Sequence, residues 1–561
     1  MRIVFLFLVA VFTLSAIAQQ PIDPYHYTTT KNITVSKAAV VSAHPLASAA
    51  GLWVLQKGGN AIDAAIATQL ALAVVCPQAG NIGGGGFLVA RLANGKNIAI
   101  DYREKAPGKG SRDMYLDEKG EAINNLSKNG HLASGVPGTV AGLVTSHKYG
   151  KLPFATLVEP AILLARGHAI DADEARGLNT HHGAFILNNT RVPVFVKADM
   201  WKTGDTLAQP ELVKTLERIR DQGWKGFYEG ETARLIVEEM ARGGGLISLE
   251  DLRSYQATER EAVVFLYKNY EIVTMALPSS GGVLLPQMMN MVRNRELGKK
   301  GHNTPDAIQL MVEVERRAYA DRAQFLGDPD FVKVPIKTLT SQTYADQRME
   351  DYKPGVAGNS NNTNFGEIRE SDQTTHLSVV DQYGNAVSVT TTLNGGYGSH
   401  TVVAGAGFIL NNEMDDFSVK PGVPNMYGAL GDEANAIAPN KRMLSSMSPS
   451  IVLKNKKPYI VVGTPGGTTI TTNVFLSIIN ILEFNLSAID AVNLPKFHHQ
   501  WKPDEILVER DMSQPTVDAL QKMGYKIRKT GAIGRTELIL INGKKIEAVA
   551  DKRGADAAAG Y

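Results

Sequence analysis

The pattern of apolar positions predicts helices in several parts of the chain. Residues 45–57 and 61–75 are rich in Ala and Leu; the first segment ends at a Gly-Gly pair, and the second follows the capping residue Asn60 and stops before Pro77. This composition suits two helices that pack closely in a core. Further helical patterns cover residues 210–220, 231–242 and 305–325.

Four short runs that are rich in β-branched and apolar residues predict strands. Residues 87–90 and 98–102 flank an Asn-Gly turn, and residues 377–380 and 386–392 flank a second turn that contains Gly and Asn. Each pair has the pattern of a β-hairpin.

A run of glycines at residues 80–86 precedes the first of these strands. Glycine-rich loops can hold phosphate, so nucleotide binding is one interpretation. However, no Gly-Lys-Ser/Thr follows, and the next element has the pattern of a strand instead of a helix. Close backbone packing is therefore the favoured interpretation.

A polar segment at residues 355–364 has no means of forming a core, and we expect it to be exposed or mobile. It leads through Gln373 into Thr374, Thr375 and His376, directly before the second predicted hairpin. The sequence thus predicts a loop that ends at the first residue of a strand, with Thr374 at the junction.

The composition is that of an ordinary folded protein, with 44% hydrophobic and 20% charged residues among 561. The chain has 58 Lys and Arg and 56 Asp and Glu residues, which gives a net charge of +2. Such a small net charge provides no strong field to attract nucleic acid or an anionic membrane. Neither partner is predicted.

The N-terminus has the pattern of a cleavable secretory signal. Met1 and Arg2 precede an apolar run at residues 3–14, and small residues end at Ala18. That run is too short to span a bilayer, and no later run approaches the length of a membrane span. We expect residues 1–18 to be removed and the protein to be exported, to the periplasm or outside the cell. A buried N-terminal strand or an uncleaved anchor is the alternative.

Cys76 is the only cysteine, so the chain cannot form an internal disulfide. It follows an apolar helical run. A catalytic thiol would need a nearby base and some exposure, so packing is the predicted role.

Thr374 has a chemical possibility that depends on its position. A threonine hydroxyl inside a chain needs a separate base, whereas an N-terminal threonine has its own α-amino group, with an unperturbed pKa of roughly 7.7 to 8.0. Cleavage just before Thr374 would therefore create a nucleophile. Taken alone, Thr-Thr-His at the start of a strand is ordinary β-sheet composition.

The surrounding motifs favour the nucleophile. Residues 373–380, Gln-Thr-Thr-His-Leu-Ser-Val-Val, resemble the processing site of the γ-glutamyltranspeptidases, also called glutathione hydrolases, of the N-terminal nucleophile hydrolase superfamily. Other segments resemble the family in the family's order; they are residues 58–65, 80–86, 101–107, 411–417, 421–427, 444–449, 465–467 and 559–561. The resemblance covers nearly the whole chain after residue 18.

The resemblance implies an α+β fold, a four-layer αββα sandwich built from one precursor. It implies cleavage between Gln373 and Thr374, which gives a large subunit of residues 19–373 and a small subunit of residues 374–561. The two subunits would pair as a heterodimer and form one unit.

The resemblance also implies the catalytic residues. Thr374 matches the nucleophile, which first attacks the Gln373 carbonyl and later the γ-glutamyl carbonyl of the substrate. Thr392 matches a threonine that orients the nucleophile, although its neighbours Thr390 and Thr391 are alternatives and its position in the motif is the only reason to prefer it. Gly466 and Gly467 match the pair whose backbone N–H groups form the oxyanion hole.

A γ-glutamyl group has an α-carboxylate and an α-ammonium group, so its site needs donors in one place and carboxylates in another. The resemblance implies that Arg103, Ser445 and Ser446 bind the carboxylate. It implies that Asn394, Glu413 and Asp416 bind the ammonium group, and that Tyr427 belongs to a loop that covers the site. The charged residues could, individually, be ordinary surface charges.

His498 and His499 invite a metal interpretation, but adjacent histidines point in different directions and no partner ligands stand out. We expect no metal and no cofactor. The implied activity is γ-glutamyl transfer from glutathione and related compounds to water, amino acids or dipeptides. The alternatives are a cephalosporin acylase-like amidase and, from a different class, an unprocessed homologue that acts as a binding protein.

Overall fold

The structure is a computed structural model, and it describes residues 22–123, 125–360 and 374–561. It is a mixed fold of helices and antiparallel sheets. In chain order the strands are β1 (Asn32–Val35), β2 (Ala39–Ser42), β3 (Gly85–Arg91), β4 (Asn97–Asp101), β5 (His168–Ala169), β6 (Thr206–Leu207), β7 (Thr258–Arg260), β8 (Val263–Tyr267), β9 (Tyr270–Thr274), β10 (Thr374–Val380), β11 (Ala386–Thr392), β12 (Ser450–Lys454), β13 (Lys457–Gly463), β14 (Phe497–His498), β15 (Ile506–Glu509), β16 (Ile527–Thr530), β17 (Glu537–Asn542), β18 (Lys545–Val549) and β19 (Ala557–Gly560).

The α-helices surround these strands. They are α1 (Pro45–Gln56), α2 (Ala61–Val75), α3 (Thr139–His147), α4 (Phe154–Ala165), α5 (Ala172–Leu187), α6 (Pro210–Gln222), α7 (Lys225–Tyr228), α8 (Gly230–Gly243), α9 (Leu249–Ser254), α10 (Gly281–Val292), α11 (Leu297–Lys300), α12 (Pro305–Phe325), α13 (Ile336–Leu339), α14 (Gln342–Arg348), α15 (Thr469–Leu482), α16 (Ala488–Asn493) and α17 (Gln514–Lys522).

Two seven-stranded sheets form the centre of the molecule. The first has the strand order β1-β18-β17-β13-β12-β9-β8, and the second has the order β19-β2-β10-β11-β3-β4-β7. All neighbouring strands within these two sheets are antiparallel. Two smaller sheets, β14-β15-β16 and β5-β6, lie apart from them.

Alternating strand residues divide the interior into separate apolar clusters. One cluster contains Val41 and Val89 from the second sheet together with Val461 and Ile539 from the first, so it lies between the sheets. The opposite face of the second sheet packs against α1, α2 and α4, and that of the first packs against α10, α12 and α15. This alternation is the period-2 pattern expected of strands that are covered on both faces.

Local sequence explains the elements around the site. Asn60 caps α2: its side chain accepts from Asp63 N, and the Asp63 side chain accepts from Asn60 N in return. The predicted helices are confirmed by α1, α2, α6, α8 and α12, and the predicted hairpins by β3–β4 and β10–β11.

The glycine run packs closely against other backbone, as expected. A Cβ atom on Gly84 would lie 2.1 Å from the Thr392 carbonyl oxygen, and one on Gly86 would lie 2.4 Å from that of Thr390. The run leads into strand β3, so the phosphate-loop interpretation has no structural support.

Segments before and after residue 374 interleave in both sheets. In the second sheet β10 lies between β2 and β11, and β11 in turn lies beside β3. In the first sheet β1 pairs with β18, and β9 pairs with β12. A cut before Thr374 would therefore leave the two pieces held together by shared sheets.

Several sequence predictions fall on residues outside the described ranges. These are the signal at residues 1–18, Gln373 at the cleavage point, and the end of the polar segment at residues 361–364. Across the ranges that the structure does describe, no helix has both the length and the apolar character that crossing a membrane requires.

Candidate active site

Thr374 is the first residue of β10 and is 4% exposed. In the β10–β11 pair it lies directly opposite Thr392. The Thr374 hydroxyl donates to Thr392 Oγ1 across 3.5 Å, and Thr392 Oγ1 also accepts from Asn394 N at 2.7 Å. The hairpin therefore brings two hydroxyl groups together that are eighteen residues apart in sequence.

The structure distinguishes Thr392 from the two threonines before it. Thr390 Oγ1 lies 2.9 Å from His376 Nδ1, on the side of the sheet that faces β13. Thr391 Oγ1 donates to the Gly85 carbonyl oxygen at 2.8 Å. Only the Thr392 hydroxyl, among these three, contacts Thr374.

A small cavity opens next to Thr374. Seven of the eleven predicted site residues line it: Thr374, Asn394, Asp416, Tyr427, Ser445, Ser446 and Gly467. Thr392, Arg103, Glu413 and Gly466 do not line it, but each contacts or adjoins a residue of this set. The predicted residues are therefore brought to one place.

Arg103 is fully buried and is paired with carboxylates. Its Nη1 lies 2.6 Å from Glu413 Oε2, and its Nη2 lies 2.5 Å from Asp416 Oδ2. Glu104 Oε2 is 3.4 Å from Nη1. The family resemblance implies that Arg103 faces a substrate carboxylate and that the acidic pair faces an ammonium group; in this structure these charges face one another.

Burial controls the pKa of these acids. It raises the pKa of Glu104 to about 7 and the pKa of Glu413 well above its usual range, and it also raises the pKa of Asp416. The positive charge of Arg103 lowers the pKa of all three acids and so opposes burial. For Arg103, burial lowers the pKa, but the nearby carboxylates, Glu413 foremost, outweigh burial and raise it. One guanidinium among three carboxyl groups leaves either excess negative charge or a retained proton, so an incoming ammonium group would be electrostatically favourable.

The two serines are arranged to donate hydrogen bonds. Ser445 Oγ accepts from Met447 N at 3.2 Å, and Ser446 Oγ accepts from Arg322 Nη2 at 3.3 Å. Within the described residues neither hydroxyl donates, so both hydroxyl hydrogens are available to a ligand. A carboxylate is an acceptor that fits such a pair.

Gly466 and Gly467 form the turn that leads into α15, with φ angles of +135° and +53°. Side chains disfavour these conformations. Neither backbone N–H donates to any of the described residues, whereas Gly466 O accepts from Thr469 N at 2.9 Å. Gly467 also lines the cavity together with Thr374, so its N–H group is a candidate donor to an oxyanion.

A covering loop, residues 421–431, lies over the cavity. The Tyr427 hydroxyl donates to the Asn394 carbonyl oxygen, and the Tyr427 ring would be 2.6 Å from a Cβ atom on Gly467. Asn425 Nδ2 donates to Asp416 Oδ1 at 2.8 Å. These contacts attach the loop to both the oxyanion turn and the acidic cluster, and they limit the space for water.

Comparison with known proteins identifies the family. A sequence profile described as Gamma-glutamyltranspeptidase matches residues 47–561, which is most of the chain. The chain belongs to the gamma-glutamyltranspeptidase family. It is 44% identical, over 537 residues, to the protein named "Glutathione hydrolase proenzyme" of Escherichia coli (strain K12), covering 94% of this chain and 93% of that protein.

The fold of this chain is similar to the folds of solved structures. The cephalosporin acylase from Bacillus halodurans has a TM-score of 0.82 at 25% identity, covering 97% of this chain and 99% of that chain. The gamma-glutamyltranspeptidase of Helicobacter pylori has a TM-score of 0.57 at 42% identity, covering 63% of this chain and 99% of that chain.

The cavity has six lining residues that sequence reasoning missed: Arg322, Asn425, Ala429, Met447, Thr468 and Ile470. Arg322 did carry a signal. It follows Ile308, Val312 and Tyr319 at helical spacing, and all four are among the buried residues of α12. An arginine on an apolar helix face needs a partner in the interior, and this pattern points to the site.

The adjacent histidines His498 and His499 and the single cysteine Cys76 were also considered from sequence, and the structure shows the environment of each. His498 Nδ1 lies 2.8 Å from Thr472 Oγ1, and His499 Nε2 lies 3.4 Å from Asp504 Oδ1. No group of three or more His, Cys, Asp or Glu side chains suited to a metal ion is found within the described ranges. Burial raises the pKa of the Cys76 thiol to about 11, which keeps it protonated, in agreement with a packing role.

Proposed function

We propose that this chain is a γ-glutamyltransferase and glutathione hydrolase that activates itself by cleavage before Thr374. The observation that carries the proposal is the contact between the Thr374 and Thr392 hydroxyls at a cavity lined by serine hydroxyls and a carboxylate. Family membership supports the same activity, because the E. coli relative is named a glutathione hydrolase proenzyme.

The first reaction is self-processing. Thr374 Oγ1 attacks the Gln373 carbonyl carbon, the peptide C–N bond breaks, and the acyl group is held as an ester on Thr374. Water then hydrolyses the ester, which leaves a carboxylate on Gln373 and a free α-amino group on Thr374. Residues 19–373 and 374–561 become the large and small subunits of an αββα sandwich. The strand interleaving described above would keep them paired. We also propose that the protein is exported after removal of residues 1–18.

The second reaction uses the new N-terminus. The α-amino group takes the proton from Thr374 Oγ1, which attacks the γ-carbonyl carbon of the substrate. The N–H groups of Gly466 and Gly467 stabilise the negative oxygen of the tetrahedral intermediate. The ammonium group returns the proton to the leaving amine, and a γ-glutamyl ester remains on Thr374. Water or the amine of an acceptor then releases the γ-glutamyl group.

The head group of the substrate determines specificity in this proposal. Its α-carboxylate accepts from the Arg103 guanidinium and the Ser445 and Ser446 hydroxyls, and its α-ammonium group binds near Asn394, Glu413 and Asp416. The pKa values of Glu413 and Asp416, which burial raises, support this assignment, because an added positive charge would stabilise their carboxylate forms. In this scheme Arg103 holds the acidic pair in place and neutralises part of its charge.

A cephalosporin acylase-like amidase is the second candidate, favoured by the similarity to the solved Bacillus halodurans acylase. The polar head-group site argues for an amino acid substrate instead.

The test compares three substrates. Incubation with glutathione alone should yield glutamate, and incubation with glutathione and a dipeptide acceptor should yield γ-glutamyl dipeptide. Glutaryl anilide, which keeps the carboxylate but lacks the α-amino group, should be cleaved far more slowly than γ-glutamyl anilide. T374A should abolish both self-cleavage and release. Faster cleavage of glutaryl anilide would favour the amidase, and an uncleaved chain that binds glutathione without releasing glutamate would favour the binding protein.

A further inference from the structure

The side chain of Gln500 joins two parts of the active site. Gln500 lies just after strand β14, is 7% exposed and follows the two histidines that invited a metal interpretation. Its Nε2 donates to the Tyr427 carbonyl oxygen at 3.4 Å and to the Gly428 carbonyl oxygen at 3.2 Å, both in the covering loop. Its Oε1 accepts from Thr468 Oγ1 at 2.6 Å. One buried amide therefore connects the covering loop to the residue that follows the oxyanion turn.

His498 orients this amide. Its Nε2 lies 2.9 Å from Gln500 Oε1, and its Nδ1 lies 2.8 Å from Thr472 Oγ1. Burial lowers the pKa of His498 from 6.5 to about 3, so the ring is neutral and has a single N–H. With that hydrogen on Nε2, the ring donates to Gln500 Oε1, and the Thr472 hydroxyl can donate to Nδ1. A neutral amide at residue 500 matches both sets of partners, whereas a carboxylate would oppose the two loop carbonyl oxygens.

The part of the covering loop that Gln500 holds is a compact turn. Asn425 Oδ1 accepts from Tyr427 N and from Ala429 N, each at 3.0 Å. Asn425 N in turn donates to the Ala429 carbonyl oxygen at 3.1 Å. Because these residues are tied to one another, the turn should move as one piece when its contact with Gln500 is lost.

The covering loop and the oxyanion turn form two walls of the cavity beside Thr374. The lining residues are Asn425, Tyr427 and Ala429 on the loop side, and Gly467 and Thr468 on the turn side. Among the described residues that line this cavity, Gln500 is not included. Its effect on a ligand is therefore indirect: it sets the separation of the two walls.

The separation of these walls matters most in the second half of the proposed reaction, when the γ-glutamyl group is an ester on Thr374. If a water oxygen attacks the ester carbonyl carbon, the C–O bond to Thr374 Oγ1 breaks and glutamate is released. If the nitrogen of an acceptor amine attacks, the same bond breaks and a γ-glutamyl amide is released. In both cases Oγ1 takes up the proton that the attacking group loses. A closed loop excludes water and gives the acceptor a surface to pack against.

We propose that Gln500 is a positioning residue that holds the covering loop against the oxyanion turn and thereby favours transfer over hydrolysis. The inference rests on the proposed function, because it concerns how the γ-glutamyl ester of that mechanism divides between water and an amine. It predicts that loss of the amide admits water and removes one wall from the acceptor. Both effects shift the products toward glutamate.

The test measures how one intermediate divides between two products. The enzyme is incubated with γ-glutamyl anilide and a fixed concentration of the dipeptide glycylglycine. The initial rates at which γ-glutamyl dipeptide and glutamate form are then expressed as a ratio. Because both products come from the same ester, the ratio does not depend on the fraction of a variant that folds or self-cleaves.

Two substitutions of Gln500 perturb the contact in different ways. Q500E keeps the shape of the side chain but removes the Nε2 donor and places an oxygen against the carbonyl oxygens of Tyr427 and Gly428. It should lower the ratio of γ-glutamyl dipeptide to glutamate by about 5- to 50-fold, the size expected for the loss of one to two hydrogen bonds. Q500M removes the contacts without adding a charge and should lower the ratio by a smaller factor.

Q309E is the matched control. Gln309 is a buried residue of α12, and its Nε2 donates to the carbonyl oxygens of Lys353 and Val356 at 3.0 and 2.9 Å. The substitution therefore makes the same chemical change beside a different loop. It should leave the product ratio unchanged, even if it lowers stability.

An unchanged or higher ratio in Q500E would overturn the role of Gln500 and leave the proposed function intact. An equal fall in Q309E would count against it as well, because the ratio would then respond to any disturbed loop. If Q500E yields no cleaved enzyme, a wild-type ratio in Q500M overturns the inference. A wild-type enzyme that forms glutamate but no γ-glutamyl dipeptide also refutes it. Failure of the wild type to form either product would instead contradict the proposed function, and this inference with it.

Discussion

Replacing Thr392 with Val should damage catalysis specifically. Valine has nearly the shape of threonine but lacks the hydroxyl, so the packing of β11 is retained. The substitution removes the acceptor for the Thr374 hydroxyl, 3.5 Å away, and the acceptor for Asn394 N, 2.7 Å away. Asn394 is itself a proposed substrate-binding residue, so both the nucleophile and the head-group site lose a hydrogen bond that holds them in position.

The contacts set the expected size of the effect. A neutral hydrogen bond contributes about 0.5–1.5 kcal/mol, and a buried N–H without an acceptor costs about 1–3 kcal/mol. Part of this cost is shared by the ground state and the transition state. We therefore expect kcat to fall by about 10- to 100-fold, equivalent to about 1.4–2.7 kcal/mol in the activation barrier. T392S keeps the hydroxyl and should remain within about threefold of the wild type.

The chain provides two matched controls for this experiment. T390V and T391V remove hydroxyls that contact His376 and the Gly85 carbonyl oxygen instead of Thr374. Both should lower stability but leave kcat within about threefold of the wild type. The assay is anilide release, normalised to the number of active sites that a burst measurement reports. A normal kcat in T392V, together with a tenfold loss in T390V or T391V, would refute the assignment.

The other predictions concern the oxyanion turn and two buried titratable groups. G467A should lower kcat by about 10²- to 10³-fold, because φ is +53° and the new Cβ would meet the Tyr427 ring at 2.6 Å, which displaces the N–H donor; a loss below threefold would count against this turn. Burial lowers the pKa of His376 from 6.5 to about 3, so the native state excludes a proton that the unfolded chain binds, and stability should fall as pH drops below 6.5. H376Q should recover about 2 kcal/mol of that loss at pH 5, measured by urea unfolding, and an equal acid loss in both proteins would contradict it. Burial raises the pKa of Glu104 to about 7, so its native proton stabilises the fold at low pH and is lost as pH rises through 7. E104Q should therefore show a smaller decline in urea midpoint between pH 4.5 and 7.5 than the wild type, and an unchanged slope would contradict this origin.

Much of the fold around the site could be predicted from sequence because local patterns determine it. The caps of α2, the glycine run before β3 and the β10–β11 hairpin all follow from residues that are close in the chain. The hairpin places Thr392 opposite Thr374, but from sequence only the position of Thr392 in the family motif distinguished it from Thr390 and Thr391.

The electrostatic arrangement could not be predicted in the same way. Arg103, Glu413 and Asp416 were each assigned to one end of a substrate, but whether they face a ligand or one another depends on segments that meet only after folding. Arg322 was missed because an arginine in a long polar helix usually faces solvent. Its helical spacing from Ile308 and Val312 was the available signal, and only burial shows that it reaches the cavity.

The central claim is that Thr374 must become an N-terminus before it can attack a substrate. Intact-mass measurement of the active protein from its native compartment tests it most directly. The account predicts two chains, one of which begins at Thr374, and an uncleaved chain for T374A. Full activity in a protein whose peptide bond before Thr374 is intact would contradict it.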